Sequence, residues 1–197
     1  MNIALKRFLA YLIDMLIIFI LICLVKQLLP INKYEIEMNN LNESYIENKI
    51  DINEYFNKSK EITHNIDKNN IGINIINTIL IIGSFVVIPF INNGQTIGQK
   101  LLKIKIIKDK NIQLEDYVGR AVIINGLGYM FFMFIILYLT NDNMYFILIN
   151  LLGFFQILVV IINAFMVLYS KSKCGIADNF TNTRIEEIRW ENLQNKS

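Results

Sequence analysis

The chain has 197 residues, of which 54% are hydrophobic and 18% charged, with a formal net charge of +2. Soluble domains carry nearer a quarter charged residues, so this composition excludes an ordinary soluble domain. The small net charge argues for no nucleic-acid partner. Apolar residues gather in blocks with the charges between them, the pattern of a protein whose partner is the lipid bilayer.

A helix needs about 20 mostly apolar residues to cross the hydrocarbon core. The first block that qualifies is 8–29, which stops at Pro30. It is preceded by Lys6 and Arg7, as the apolar core of a signal peptide is. Yet it is too long, carries Asp14 and lacks a small-x-small cleavage site, so an uncleaved span is expected. Next comes 31–70, net acidic and rich in Asn. There Leu41, Tyr45, Ile52, Tyr55 and Phe56 recur near helical spacing, which suggests one amphipathic helix as readily as a polar loop. His64 in this segment has no Cys or HExxH-type partner and reads as a lone exposed histidine. The second span is 71–91.

The segment 92–117 is the most patterned. Gly94-Gln95-Thr96-Ile97-Gly98-Gln99-Lys100 looks at first like a phosphate loop, but its glycines have three residues between them where a Walker loop has four. It reads instead as a tight turn whose glycines allow positive φ. Lys103-Ile104-Lys105-Ile106 alternates like a half-buried strand, Asp109-Lys110-Asn111 signals a turn, and Ile112 and Leu114 alternate again. A small β-hairpin at the membrane surface is expected, with Glu115 and Asp116 at the N-terminus of the next helix. The third and fourth spans are 118–139 and 144–169. Only four residues separate them, so they form a helical hairpin. The tail is 170–197.

Lysine and arginine set the orientation. They concentrate at Lys6 and Arg7, at Lys100, Lys103, Lys105, Lys108, Lys110 and Arg120, and at Lys171, Lys173, Arg184 and Arg189. With four spans all three groups fall on one side. The expected architecture is therefore an all-α four-transmembrane-helix bundle in one domain. Both termini are cytoplasmic, and the β-hairpin lies between helices 2 and 3.

Asp14 is the costly residue. A carboxylate near mid-span costs about 2.5–3.5 kcal/mol on insertion scales, and such a residue normally faces a partner inside the bundle. Arg7, Ala10 and Asp14 share one helix face, Ala10 permitting close approach of another helix. Arg7 and Asp14 stand about 10 Å apart along the axis, so a third group is needed to join them. Asn74, Asn77, Asn125, Asn150, Gln156 and Asn163 read as interhelical glue. Cys23 and Cys174 have neither metal-site nor disulfide-framework spacing.

These residues resemble the RDD family of bacterial membrane proteins. Arg7 to Asp14 resembles its opening R-x-x-A-x-x-x-D. Gly94, Thr96, Gly98 and Lys100, followed by Ile104 and Ile106, resemble its G-x-T-x-G-K-x-x-x-x-I-x-V. Arg120 stands where the family often opens its third helix with arginine. Asp178 to Ile185, including Thr183, resembles the closing D-x-x-A-G-T-x-V. The family's arginine and two aspartates map to Arg7, Asp14 and Asp178, and the resemblance implies that Arg7 meets Asp178 with Asp14 deeper. Departures are Ala177 for a frequent His, Asn182 for Gly, Gln99 for a basic residue, and the inserted 31–70 segment.

Two functions remain open. The resemblance implies at most exchange of Na+, Li+ or K+ for protons across the bacterial cell membrane, with Asp14 as the titrating group and a homo-oligomer completing the pathway. The alternative is a binding or regulatory membrane protein that engages a partner protein, its Arg/Asp cluster being structural. Enzyme constellations are missing from the sequence: no HExxH, no G-x-S-x-G and no paired aspartates on facing spans. No catalytic residue, cofactor or metal is assigned.

Overall fold

The computed structural model describes residues 2–188. Arg189, counted above among the basic tail residues, lies outside them. The chain is mostly helical. Three helices are long and apolar enough to cross a membrane: α1 (Ile3–Gln27), α4 (Ile71–Ile91) and α8 (Asp142–Tyr169). Between α1 and α4 lie α2 (Lys33–Ile46) and α3 (Ile52–Asn69). After α4 come the short α5 (Ile97–Leu101) and strand β1 (Ile104–Ile107), then α6 (Leu114–Ile124) and α7 (Leu127–Leu139). The tail holds α9 (Ile176–Thr181) and β2 (Arg184–Glu187).

The expected third span, 118–139, is not one straight helix. It breaks at Asn125-Gly126 into α6 and α7, bent by 68°. The cause is local. Gly126 has φ +80°, the left-handed conformation that a β-carbon disfavours. The bend separates two chemistries. α7 is apolar almost throughout, whereas α6 opens on Glu115 and Asp116 and buries Arg120. The chain thus has three apolar spans, and a fourth if the bent pair counts as one.

The expected hairpin after α4 also differs. β1 forms at the predicted place, with Ile104 and Ile106 buried. Its partner, however, is β2 of the tail, antiparallel, with Ile106 opposite Ile185. Residues 112 and 114 cannot supply the second strand because Leu114 already begins α6. That helix start is fixed by Asp116, whose carboxylate accepts from the Gln113 backbone N–H at 2.9 Å. The other edge of β1 is occupied by the Gly94 turn: Ile106 N–H donates to Gly94 C=O at 2.8 Å, and Gln95 Nε2 donates to Ile104 C=O at 2.8 Å.

The 31–70 segment forms two helices, α2 and α3. Asn32 and Asp51 cap them with side-chain oxygens, and Tyr55 Oη donates to Asn42 Oδ1 across the pair. His64, expected to be exposed, is buried. Its Nε2–H donates to the Leu137 carbonyl at 2.9 Å, its Nδ1 lies 2.6 Å from Asp142 Oδ1, and its ring stacks on Tyr145 at 4.3 Å between centroids. Tyr145 Oη donates to Asp67 Oδ2 at 2.5 Å. Burial pushes the Asp67 carboxyl above its usual range against the opposing effect of that bond. These contacts seat α3 on the α7–α8 turn. The sequence conceals them because the residues involved are 78 positions apart.

Two apolar clusters fill the interior. Ile18, Ile81, Phe85, Val86, Ile106, Tyr117 and Ala121 pack where α1, α4, α6 and β1 meet. Met133, Leu137, Tyr145 and Ile149 pack between α7 and α8. A π-helical turn at Gly83–Val87 interrupts α4 just before Pro89, whose ring removes one backbone donor, and it turns Phe85 and Val86 into the first cluster.

A β-carbon at position 126 would meet nothing within 4 Å, so substitution there tests the backbone conformation alone. Gly126→Ala is expected to lower stability by about 1 kcal/mol, with Gly126→Asn recovering part of the loss because Asn tolerates the left-handed region. Thermal unfolding in detergent measures both; equal Tm values for Ala and Gly would refute the account of the bend.

Candidate functional site

Two aspartates at the α5–β1–tail end of the bundle organise the charged groups, each in a different way. Asp178 lies in the first turn of α9 with its side chain 0% exposed. Arg7 of α1 donates from Nη2 to Oδ2 at 2.5 Å, and Arg120 of α6 donates from Nη1 to Oδ1 at 2.6 Å. The Gly175 backbone N–H donates to Oδ2 at 2.7 Å, so the carboxylate also caps its own helix. The arginines are held in turn. Arg7 Nη1 donates to the Lys173 carbonyl at 2.6 Å, and Arg120 Nη1 to Thr183 Oγ1 at 2.6 Å. Thr181 and Thr183 share a hydroxyl bond of 2.8 Å. Asn182 takes the left-handed conformation expected for a glycine substitute, with φ +52°.

Desolvation by itself raises the Asp178 pKa, but Arg120 and Arg7, with the Gly175 bond, more than offset it and hold the carboxyl below its usual range. The group is therefore an ionised anchor between two cations and joins three elements, α1, α6 and α9.

Asp14 is not part of that cluster. Its Oδ2 accepts from Thr96 Oγ1 at 2.6 Å, and its Oδ1 from the Gly98 N–H at 2.7 Å. Thr96 caps α5 and accepts from Gln99 N, while the Gln99 side chain returns to the Thr96 N–H. Asp14 is 4% exposed, and among the described residues it has no ion-pair partner. The Arg7–Ala10–Asp14 face of α1 thus serves two neighbours: Arg7 faces the tail, Asp14 faces α5, and Ala10 permits the contact between. A β-carbon on Gly98 would stand 2.2 Å from the Ala10 carbonyl oxygen. Gly94 supplies the positive φ of the turn, +87°, whereas Gly98 is required for close approach.

Of the motif residues, Arg7, Arg120, Asp178 and Thr183 come together, as do Ala10, Asp14, Thr96 and Gly98. Lys100 is exposed in α5 and Gly94 lies against Ile106 and Tyr117. Sequence reasoning left Arg120 outside the charge cluster although its place at the start of a helix was noted. It did not foresee that Asp14 would cap a helix other than its own.

Gly98→Ala is expected to cost about 3 kcal/mol, because the clash is with backbone and must displace α5 from Asp14. Gly72→Ala, where nothing lies within 4 Å, is expected to be neutral or stabilising by about 0.5 kcal/mol. Chemical unfolding in detergent compares the two. Asp178→Asn is expected to cost about 3–5 kcal/mol by leaving two buried guanidinium groups uncompensated. Because the folded pKa of Asp178 is depressed, its contribution is complete above the unfolded value near 3.9 and is lost as pH falls through the folded value. An unfolding series below pH 4 should show wild type losing stability that Asp178→Asn has already lost.

No curated protein and no solved structure matches the chain. The family model described as RDD family matches residues 3–182, which takes in both aspartates, both arginines and the α5 turn. The chain, with its apolar helices, belongs to the RDD family of membrane proteins.

Proposed function

We propose that the chain is a multi-pass cell-membrane protein that exchanges a monovalent cation (Na+, Li+ or K+) for a proton at Asp14. Both termini face the cytoplasm in this reading, which rests on the lysines and arginines gathered at the α5–β1–tail end. One observation carries the proposal: Asp14 is a buried carboxylate without a cationic partner among the described residues, while Arg7, its natural counter-charge on the same face, is committed to Asp178. A proton or a small cation supplies the missing positive charge, and an intramembrane carboxylate left uncompensated marks such a role by default. The Arg7–Asp178–Arg120 clamp is the fixed part of the device. Thr96 and Gly98 are its adjustable part, since they hold Asp14 through hydrogen bonds that a bound cation would replace. The reading assigns no catalysis and no resident metal or cofactor.

A second reading is favoured by the same two bonds. The Thr96 hydroxyl and Gly98 N–H satisfy both carboxylate oxygens, as a helix cap does, so Asp14 is also suited to fixing α5 to α1. In that case the protein is a binding or regulatory one, with the α5–β1–β2 end available to a partner.

Asp14→Asn separates them. In everted vesicles carrying a pH-sensitive dye, wild type is expected to dissipate a pH gradient on addition of Na+, Li+ or K+, and Asp14→Asn to abolish the response while keeping its thermal stability within about 1 kcal/mol. Flux that survives the substitution, or no flux in wild type, defeats the transport reading. Loss of folding with Asp14→Asn supports the structural one.

A further inference from the structure

The amides inside the apolar helices are not all treated alike. Asn74, Asn77, Gln156 and Asn163 are half-buried and Asn125 is buried. Gln156 Nε2 reaches the Ile123 carbonyl, and Asn163 Oδ1 accepts from the Ala177 N–H. Asn150 of α8 is exposed instead, and among the described residues its one bond runs from Nδ2 to the Phe146 carbonyl of its own helix at 2.7 Å. Within those residues one amide proton and both lone pairs of Oδ1 find no partner.

Asn150 lies about 12 Å into a helix about 42 Å long. With that helix centred on a hydrocarbon core of about 30 Å, the amide sits about 6 Å inside the lipid. Lipid tails offer it no partner, and an unsatisfied amide there is costly. An exposed lipid-facing position is therefore the wrong place for it unless another polar group covers it.

Its neighbours on the surface say what covers it. Asn143, Ile147, Asn150, Phe154, Ile157 and Ile161 are all exposed, and their spacing alternates four and three residues. That 3.5-residue period is the seam of a left-handed helix pair, in which a polar residue at one seam position fixes register. Two asparagines one heptad apart occupy this seam, and α8 is the least buried of the three long apolar helices.

We propose that the Asn143–Ile161 stripe of α8 is a homodimer interface, with Asn150 paired to Asn150 of a second copy across a two-fold axis along the membrane normal. A second copy fits because every copy inserts in the same orientation and presents Asn150 at the same depth. A primary amide is also its own complement, donating N–H and accepting at Oδ1. The interface is independent of what Asp14 does.

Disulfide scanning in native membranes tests this. In a full chain carrying Cys23→Ser and Cys174→Ser, single cysteines at 147, 150, 154, 157 and 161 are expected to form dimers on mild oxidation. Cysteines at 144, 155 and 162, also exposed but turned about 100° or more from the centre of the stripe, are expected not to. Dimers at neither set, at both sets equally, or mainly at the second set overturn the interface. Energy transfer between labelled copies in lipid vesicles supplies the second readout. Asn150→Leu, with unchanged thermal stability, is expected to raise the dissociation constant about 3- to 15-fold; an unchanged constant overturns the role of Asn150.

Discussion

The fold depends on one buried carboxylate held by two arginines. Asp178 joins Arg7 near the start of the chain to Arg120 in the middle, with the tail as the bridge. In water, apolar burial would press these elements together. In lipid it does little, because hydrocarbon tails are as apolar as leucine, and helix association rests on packing and polar bonds. The ion pairs supply a directional contact that apolar side chains cannot supply there. Their position also explains the tail. Once α9 is anchored, Thr183 is fixed against Arg120, and β2 follows at once to pair with β1. The two-stranded sheet is a consequence of the clamp, which is why its second strand comes from the tail and not from the residues next to β1.

Asp14 depends on the same helix face but bears a different load. α1 offers Arg7 to the tail and Asp14 to the α5 turn, with Ala10 between them small enough for Gly98 to approach its carbonyl. A larger residue at either contact point separates α5 from Asp14. The two aspartates are thereby coupled mechanically though not electrostatically. Arg7 fixes the position of α1 along the tail, and that position decides whether Thr96 and Gly98 reach Asp14.

Much of this was legible in the sequence, for physical reasons that can be named. The spans were visible because length and apolarity are properties of contiguous residues. Asp14, with Arg7 on its face, stood out because a charge inside an apolar run is expensive, whereas Asp178 was legible only through the resemblance to the family's closing motif. Gly94 and Asn182 were legible as turn residues because left-handed backbone narrows the choice of side chain. What was not legible lay in contacts between distant segments. The partners of β1 are 77 to 83 residues away in the register, and Arg-Ile-Glu-Glu carries no strand alternation of its own. His64 gave no motif because its partners are a carbonyl, a carboxylate and an aromatic ring from the α7–α8 region. The bend at Gly126 was masked because the residues on both sides are apolar, and hydropathy reports composition without direction.

That bend has a further structural consequence. α6 turns by 68° to carry Arg120 to Asp178 while its Ile123 carbonyl still accepts from Gln156 of α8, and α7 and α3 pack on the half of α8 nearest Asp142. Two demands meet at Asn125-Gly126: the clamp needs Arg120 close to the tail, and α7 must pack Met133 and Leu137 against Tyr145 and Ile149. A single straight helix cannot meet both, so the left-handed glycine is the point at which the chain changes direction. α8 is the least buried of the three long apolar helices. Asn150 lies on that exposed surface, and among the described residues its amide has no partner beyond its own turn.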